Sequence, residues 1–337
     1  GGRYTDAQAY FLGGQSDLNS FPLGSQLGPV ITGQAYNRYF PPIPDSQQWR
    51  IFDPTGGIQY HFNDDVMAYL SWSKGFMAGG WTTRLQAVIP TPKDAEYGPE
   101  TSKSWELGLK SAWFNRHLIV NTDVFDTNFD SIQLNIQRGI SPVLTNAGNA
   151  KIRGWEMQFE SLIGETGLRL NGSASYLDAY YTSVAANANF PQYALPDGTT
   201  VCPAGPPICG LAGYGNSPLD AKLPKTPKWK FTFDPEYDYV LSSSAQIRFL
   251  PVFTYTSSMF NDSLNTPQLW RPASRMLDAS IHFVSPTGQY DVAVGGTNLT
   301  DDRYVTTGQP NYGAGFIDGY YNPPREWYLS LRMRMDE

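Results

Sequence analysis

The sequence predicts an all-β protein, an antiparallel transmembrane β-barrel of the outer-membrane type. Three observations lead there. Apolar and polar side chains alternate with a period of two along much of the chain, short turns alternate with long polar loops, and tryptophans bracket aliphatic strand segments. Successive side chains of a strand point to opposite faces. In a membrane barrel one face meets lipid and the other lines a watery interior.

The strands follow in order. "GGRYT" opens the chain as a strand. In "VMAYLSWSKGF", Val66, Ala68, Leu70, Trp72 and Phe76 share one face, and Tyr69, Ser71 and Ser73 the other. "SWELGLKSAW" sets Trp105, Leu107, Leu109 and Trp113 against Ser104, Glu106 and Lys110. "GWEMQFES" opposes Trp155, Met157 and Phe159 to Glu156, Gln158 and Glu160, and "LRLNGSASY" opposes Leu168, Leu170, Ala174 and Tyr176 to Arg169, Asn171, Ser173 and Ser175. In "KWKFTFDPEYDY" an aromatic wall of Trp229, Phe231, Phe233, Tyr237 and Tyr239 backs onto Lys230, Thr232, Asp234, Glu236 and Asp238. "EWYLSLRMRM" closes the series with Trp327, Leu329, Leu331, Met333 and Met335 against Tyr328, Ser330, Arg332 and Arg334. Pro235 and Pro251 fall inside strands and cannot donate to a ladder, so each predicts a bulge or a break.

The short turns are "NDD" (63–65), "NRH" (115–117), "GETG" (164–167), "SSS" (242–244) and "TGQ" (287–289). Long Gly/Pro-rich segments separate them, around 12–56, 77–101, 136–150, 182–227, 259–274 and 300–325. Short turns on the periplasmic rim and long loops outside are the barrel pattern, and few soluble domains carry so many long loops. One opening strand, five hairpins and a closing strand give about twelve. Trp105 and Trp113 are eight residues apart, which at a barrel tilt spans roughly 20 Å of membrane normal and suits two aromatic girdles.

The 337 residues carry a net charge of -7, and the mean hydropathy is -0.37. No stretch approaches the roughly 20 apolar residues of a membrane helix, but barrel strands need none. The 24 Lys and Arg form no basic cluster, so nucleic acid is not an expected partner. The chain opens without a leader, which implies either removal or a piece of a longer protein. Cys202 and Cys209 in "VCPAGPPICG" read as a local loop disulfide in an oxidising compartment, with two free thiols as the alternative. Neither has a histidine nearby, so no metal site is expected.

Several stretches resemble the C-terminal half of the TonB-dependent outer-membrane receptors. They are "YLSWSKGFMAGGW" (69–81), "YGPETSKSWELGLKS" (97–111), "NAGNAKIRGWEMQFE" (146–160), "LPKTPKWKFTFD" (223–234) and "VGGTNLTDDRY" (294–304). Each is weak alone, but the order and spacing fit. The resemblance implies that residues 1–337 are the C-terminal portion of a 22-stranded barrel, with about twelve strands present and the N-terminal plug and early strands missing. It departs from the family at its end, "MRMDE", where an aromatic residue is usual.

The resemblance also implies a transport receptor for a scarce ligand, most commonly a ferric siderophore. It would be energised by the TonB complex through the plug, embedded in outer-membrane lipid, and would need no cofactor. Candidate ligand contacts are loop aromatics and polar groups: Trp81 and Arg84, Trp270 and Arg271, and Asn311, Tyr312, Tyr320 and Tyr321. Aromatic faces suit catecholates or sugars, and arginine suits anionic chelates. For each of these residues, loop packing or the aromatic girdle is the plainer explanation. The alternatives are a passive porin-like channel and a self-closed twelve-stranded enzyme. His282 lies two residues from Ser280, but no Gly-x-Ser-x-Gly elbow occurs, so no enzyme is expected. Asp64–Asp65 and Asp301–Asp302 read as solvated turn residues.

Overall fold

The computed structural model describes residues 1–11, 45–82, 92–138, 141–184, 221–311 and 315–334. The chain starts with β1 (Gly2–Phe11), β2 (Asp45–Asn63) and β3 (Val66–Met77). A small hairpin follows, β4 (Gly80–Trp81) with β5 (Glu96–Tyr97). Next come β6 (Glu100–Trp113), β7 (Leu118–Asp130), a second small hairpin of β8 (Gln133–Arg138) and β9 (Ser141–Asn146), then β10 (Gly148–Ile163) and β11 (Leu168–Val184). Beyond them lie β12 (Trp229–Phe233), β13 (Glu236–Val240), β14 (Gln246–Thr256), the short β15 (Met259–Phe260) and β16 (Trp270–Arg271), β17 (Ser274–Val284) and β18 (Tyr290–Thr297). A third hairpin, β19 (Val305–Asn311) with β20 (Phe316–Tyr321), precedes β21 (Glu326–Met333).

A single antiparallel sheet forms the wall, in the order β1-β2-β3-β6-β7-β10-β11-β12-β14-β17-β18-β21. β13 continues the line of β12 and pairs with the same two neighbours, β11 and β14. The wall therefore has twelve staves, one of them broken. β1 pairs only with β2, and β21 only with β18, among the described residues.

Register shows why the alternation matters. One ladder row runs Ile58–Leu70–Leu107–Val124–Trp155–Tyr176–Trp229 across seven staves. Because barrel staves tilt by about 40°, a row perpendicular to them crosses the bilayer obliquely. This one starts on aliphatics and ends on three aromatics, as a path from mid-bilayer to a girdle should. A second row, Tyr237–Phe249–Ile281–Val294–Leu329, is exposed at every position. The neighbouring row on the other face reads Gln59–Tyr69–Gly108–Asp123–Glu156–Ser175–Lys230. Along these rows one face is mainly apolar and the other mainly polar.

The break in the wall comes at Pro235, as expected. Phe233 pairs with Phe253 and Tyr237 with Phe249, which sets Pro235 opposite Pro251. The Asp234 N–H donates to the Asn171 carbonyl on β11 (3.0 Å), so residue 235 turns its backbone toward β14. The two prolines remove the two N–H groups that would each have donated to the opposite residue's carbonyl. Pro251 does not break its own strand, contrary to expectation, because β14 runs through it and keeps its pairing to β17 at Ala279.

All five short turns are tight. Residues 114–116 take left-handed backbone (φ 55–67°), as do Gly164, Gly167, Ser244 and Gly288. The long segments are less loop-like than their composition suggests. β2 starts at Asp45, well inside the expected 12–56 loop, and pairs with β1 through Pro54. The segments 77–101, 136–150 and 300–325 each carry a small hairpin. Pro and Gly marked turn-rich chain there, and the strands between them were too short to show a period.

Candidate functional site

The described parts of the long segments gather at the rim opposite the tight turns, and side-chain amides strap them together. Asn265 accepts the Lys222 N–H (2.7 Å) and donates to the Lys222 carbonyl (2.9 Å), imitating a strand partner. The Asn261 amide nitrogen donates to the carbonyls of Leu269 (3.0 Å) and Val305 (2.9 Å). The Ser263 hydroxyl reaches the Asn135 carbonyl (2.6 Å), tying this loop to β8 across 128 residues of sequence. Asp262 accepts from the Thr266 N–H (3.0 Å) and hydroxyl (2.7 Å). Burial pushes its carboxyl above the usual carboxylate range, and the Thr266 bonds pull it partly back.

Between these straps lies a cavity of about 440 Å³. Its polar lining includes Gln133, Asn135, Lys225, Asp262, Ser263 and Gln309, and its apolar lining includes Leu134, Pro224, Leu264 and Pro310. That size, and a wall that mixes apolar side chains with convergent polar groups, suit a small polar ligand. A cation (Lys225) and a buried carboxyl (Asp262) in one pocket can orient a polar ligand.

The residues singled out from sequence are placed differently. Arg271 stacks its guanidinium on the Tyr304 ring (3.7 Å) and donates to the Ser274 hydroxyl (2.7 Å), so it packs loop to loop. Burial pulls its guanidinium below the usual arginine value, with Tyr304 and Asp302 opposing. Trp270 is 45% exposed and pairs with Phe260. Asn311 is buried and accepts from the Gln309 side chain (2.9 Å), one residue away from the cavity lining at Pro310. Tyr320 and Tyr321 are each 65% exposed on β20. Trp81 is half-buried opposite Glu96, and Gln133 straps its hairpin to β8 by donating to the carbonyls of Ala78 (2.9 Å) and Gly98 (3.0 Å). Arg84, Tyr312, Cys202 and Cys209 lie outside the described residues. The cavity groups Lys225, Asp262 and Gln309 sit in turn-like stretches whose composition marks them as loop and nothing more.

The motifs that carried the resemblance prove to be fasteners. Glu106 accepts the Tyr69 hydroxyl, Lys110 lies over the Tyr69 ring (5.9 Å), and Gly108 leaves the room that ring occupies, since a Cβ there would sit 2.3 Å from it. The side-chain oxygen of Asn146 accepts the Gly98 N–H (2.6 Å), and its amide donates to the carbonyls of Gly98 (3.0 Å) and Ser131 (2.8 Å). Asn298, 2% exposed, donates to the carbonyls of Asp302 and Pro323 (3.0 Å each), and Asn322 donates to the same two. Asp301 and Asp302 are not simply solvated, as the sequence suggested. They accept the backbone N–H of Arg325 (3.0 Å) and of Arg275 (2.7 Å).

On the polar face of the wall, the Ser280 hydroxyl lies 3.1 Å from His282 Nε2, and His282 Nδ1 lies 2.9 Å from an Asp291 oxygen. Ser280 is buried. A Cβ on its partner Gly295 would meet both Ser280 Cβ (2.8 Å) and the Tyr328 hydroxyl (2.5 Å), so Tyr328 closes over this spot.

Residues 1–299 match the family model described as TonB dependent receptor-like, beta-barrel. Among solved structures, the chain resembles the ferric yersiniabactin uptake receptor FyuA of Yersinia pestis (17% identity, TM-score 0.62, 89% of this chain and 39% of that one). It also resembles the ferric-catecholate import receptor Fiu of E. coli K12 in its closed form (15%, 0.65, 98% and 41%). A third is the siderophore receptor PiuA of Acinetobacter baumannii (18%, 0.60, 90% and 38%). The chain thus spans about two fifths of the length of these receptors. A wall apolar outside and polar inside, with loops strapped above it, is the architecture of a bacterial outer-membrane protein, and the chain belongs to the TonB-dependent receptor-like β-barrel family.

Proposed function

We propose that this chain forms the outer rim and much of the wall of a receptor that captures a ferric siderophore and imports it with energy delivered through TonB. It binds and guides its ligand and makes or breaks no covalent bond. The observation that carries the reading is the loop cavity of about 440 Å³, with Lys225, Asp262 and Gln309 converging in it at the rim opposite the tight turns. The family match and the resemblance to siderophore receptors support the choice of cargo.

Uptake of ⁵⁵Fe presented on a panel of catecholate, hydroxamate and carboxylate siderophores tests it, in cells with and without the gene and with and without TonB. One siderophore whose uptake needs both is the expected result. Uptake indifferent to the gene for every siderophore would overturn the cargo, and solute entry that persists without TonB would make the protein a passive channel.

A further inference from the structure

At the opposite end from the loop cavity, beside the tight turn 285–289, the polar face of the wall holds a second recess of about 180 Å³. It is lined by Arg248, Val284, Gly288, Asp291, Arg332 and Arg334. The three arginines come from β14 and from the last staves' end at β21, far apart in sequence and brought together only by the pairing of β14 with β17, β17 with β18, and β18 with β21. Arg248 is shared with carboxylates of β13, at 2.8 Å from Asp238 and 3.6 Å from Glu236. Asp291 is directly opposite Arg332 in register, yet its carboxylate is taken by His282 Nδ1 (2.9 Å). The guanidiniums of Arg332 and Arg334 hold no hydrogen bond or ion pair among the described residues. Two residues apart on one face, they stand about 7 Å from each other along the strand, a span that one oxyanion can bridge.

Arg248 is balanced by Asp238 and Glu236, of which Glu236 also meets Arg169 (3.1 Å). Among the described residues that leaves two guanidiniums against the single carboxylate of Asp291, and a net positive charge in the recess. Guanidinium forks bind phosphate and carboxylate oxygens in pairs and hold them better than a point charge would. We propose that this recess is a binding site for a small soluble oxyanion of the phosphate class, at the periplasmic mouth of the wall. Its size admits such an anion and is below that of ordinary drug-sized pockets.

The test is calorimetric titration of inorganic pyrophosphate into the native full-length protein in detergent, at fixed ionic strength. Saturable binding is expected, weakened about tenfold or more by Arg332→Gln with Arg334→Gln, and less by the two Arg→Lys changes, which keep charge but lose the fork. Arg3→Gln, at the far edge of the sheet, should leave it unchanged. Heat-modifiable gel mobility shows whether each variant is folded. Absence of saturable binding in the native protein overturns the proposal, as does equal affinity in the folded double Gln variant.

Discussion

The wall and the rim of this molecule bury opposite things. Along the wall the large apolar side chains point outward: Leu107 is 53% exposed, Val124 46% and Leu329 77%. Among the described residues the largest fully buried side chains are Ile136, Leu269, Asn298 and Thr266, all at the rim, and two of these four are polar. The wall is held by its ladder of backbone bonds and by the lipid it meets. The rim is a small water-facing core, where short strands cannot satisfy every backbone group and side-chain amides do so instead. Removing an apolar group should therefore matter little on the wall and much at the rim, while adding a charge should do the reverse.

The largest expected effect breaks the wall. Leu107→Arg puts a cation among the aliphatics of the apolar row and should cost about 2–4 kcal/mol, with loss of outer-membrane assembly read by surface labelling. Normal surface levels would show that this face does not meet lipid. Next is Asn298→Ala, which strips two donors from the knot joining Asp302 and Pro323. It should cost about 1–3 kcal/mol, and limited proteolysis should then cut within 298–304 while the wall stays folded. If the wall melts as well, rim and wall are one cooperative unit.

A third prediction concerns pH. The folded-state carboxyl of Asp262 is raised, so the folded rim binds that proton more tightly than the unfolded chain does. Rim stability is greatest below the ordinary carboxylate range and falls as pH rises from about 3.8 through the raised value. Asp262→Asn should remove that slope in the pH dependence of loop proteolysis, and an unchanged slope would assign it to another group. The smallest effect is Arg271→Lys, which keeps the charge but loses the flat stack on Tyr304, at about 0.5–1 kcal/mol of rim stability. If the charge alone mattered, this variant would behave as wild type.

Much of the fold was legible because its signal is local. Leu107 and Glu106 are adjacent, and their opposite faces follow from strand geometry alone. The tight turns announce themselves by Gly, Asn and Ser at positions that need left-handed backbone, as at Gly288 and Ser244. The start of β2 was not legible, since it lies in a long Gly/Pro-rich stretch, and only pairing with β1 up to Pro54 and with β3 from Thr55 keeps the strand extended through "DPTGG". Pro251 was half legible. A proline in a strand predicts a fault, but whether its missing N–H is missed depends on what stands opposite, and here that is Pro235.

The candidate site was the least legible part. Arg271 and Trp270 draw attention as loop cation and aromatic, yet Arg271 is used up in packing. Lys225, Asp262 and Gln309 look like any loop residues until three distant segments close around them. Most staves, their two faces and the tight turns could be read from the residues alone, because each rests on a period or a spacing within a dozen or so residues, and the family from the order of five short motifs. Only the tertiary structure decided which loops meet, which motif residues serve as fasteners, and that Arg248 joins Arg332 and Arg334 in one recess. Those contacts depend on register summed across many staves, and one shift of a single residue anywhere along the sheet would undo them.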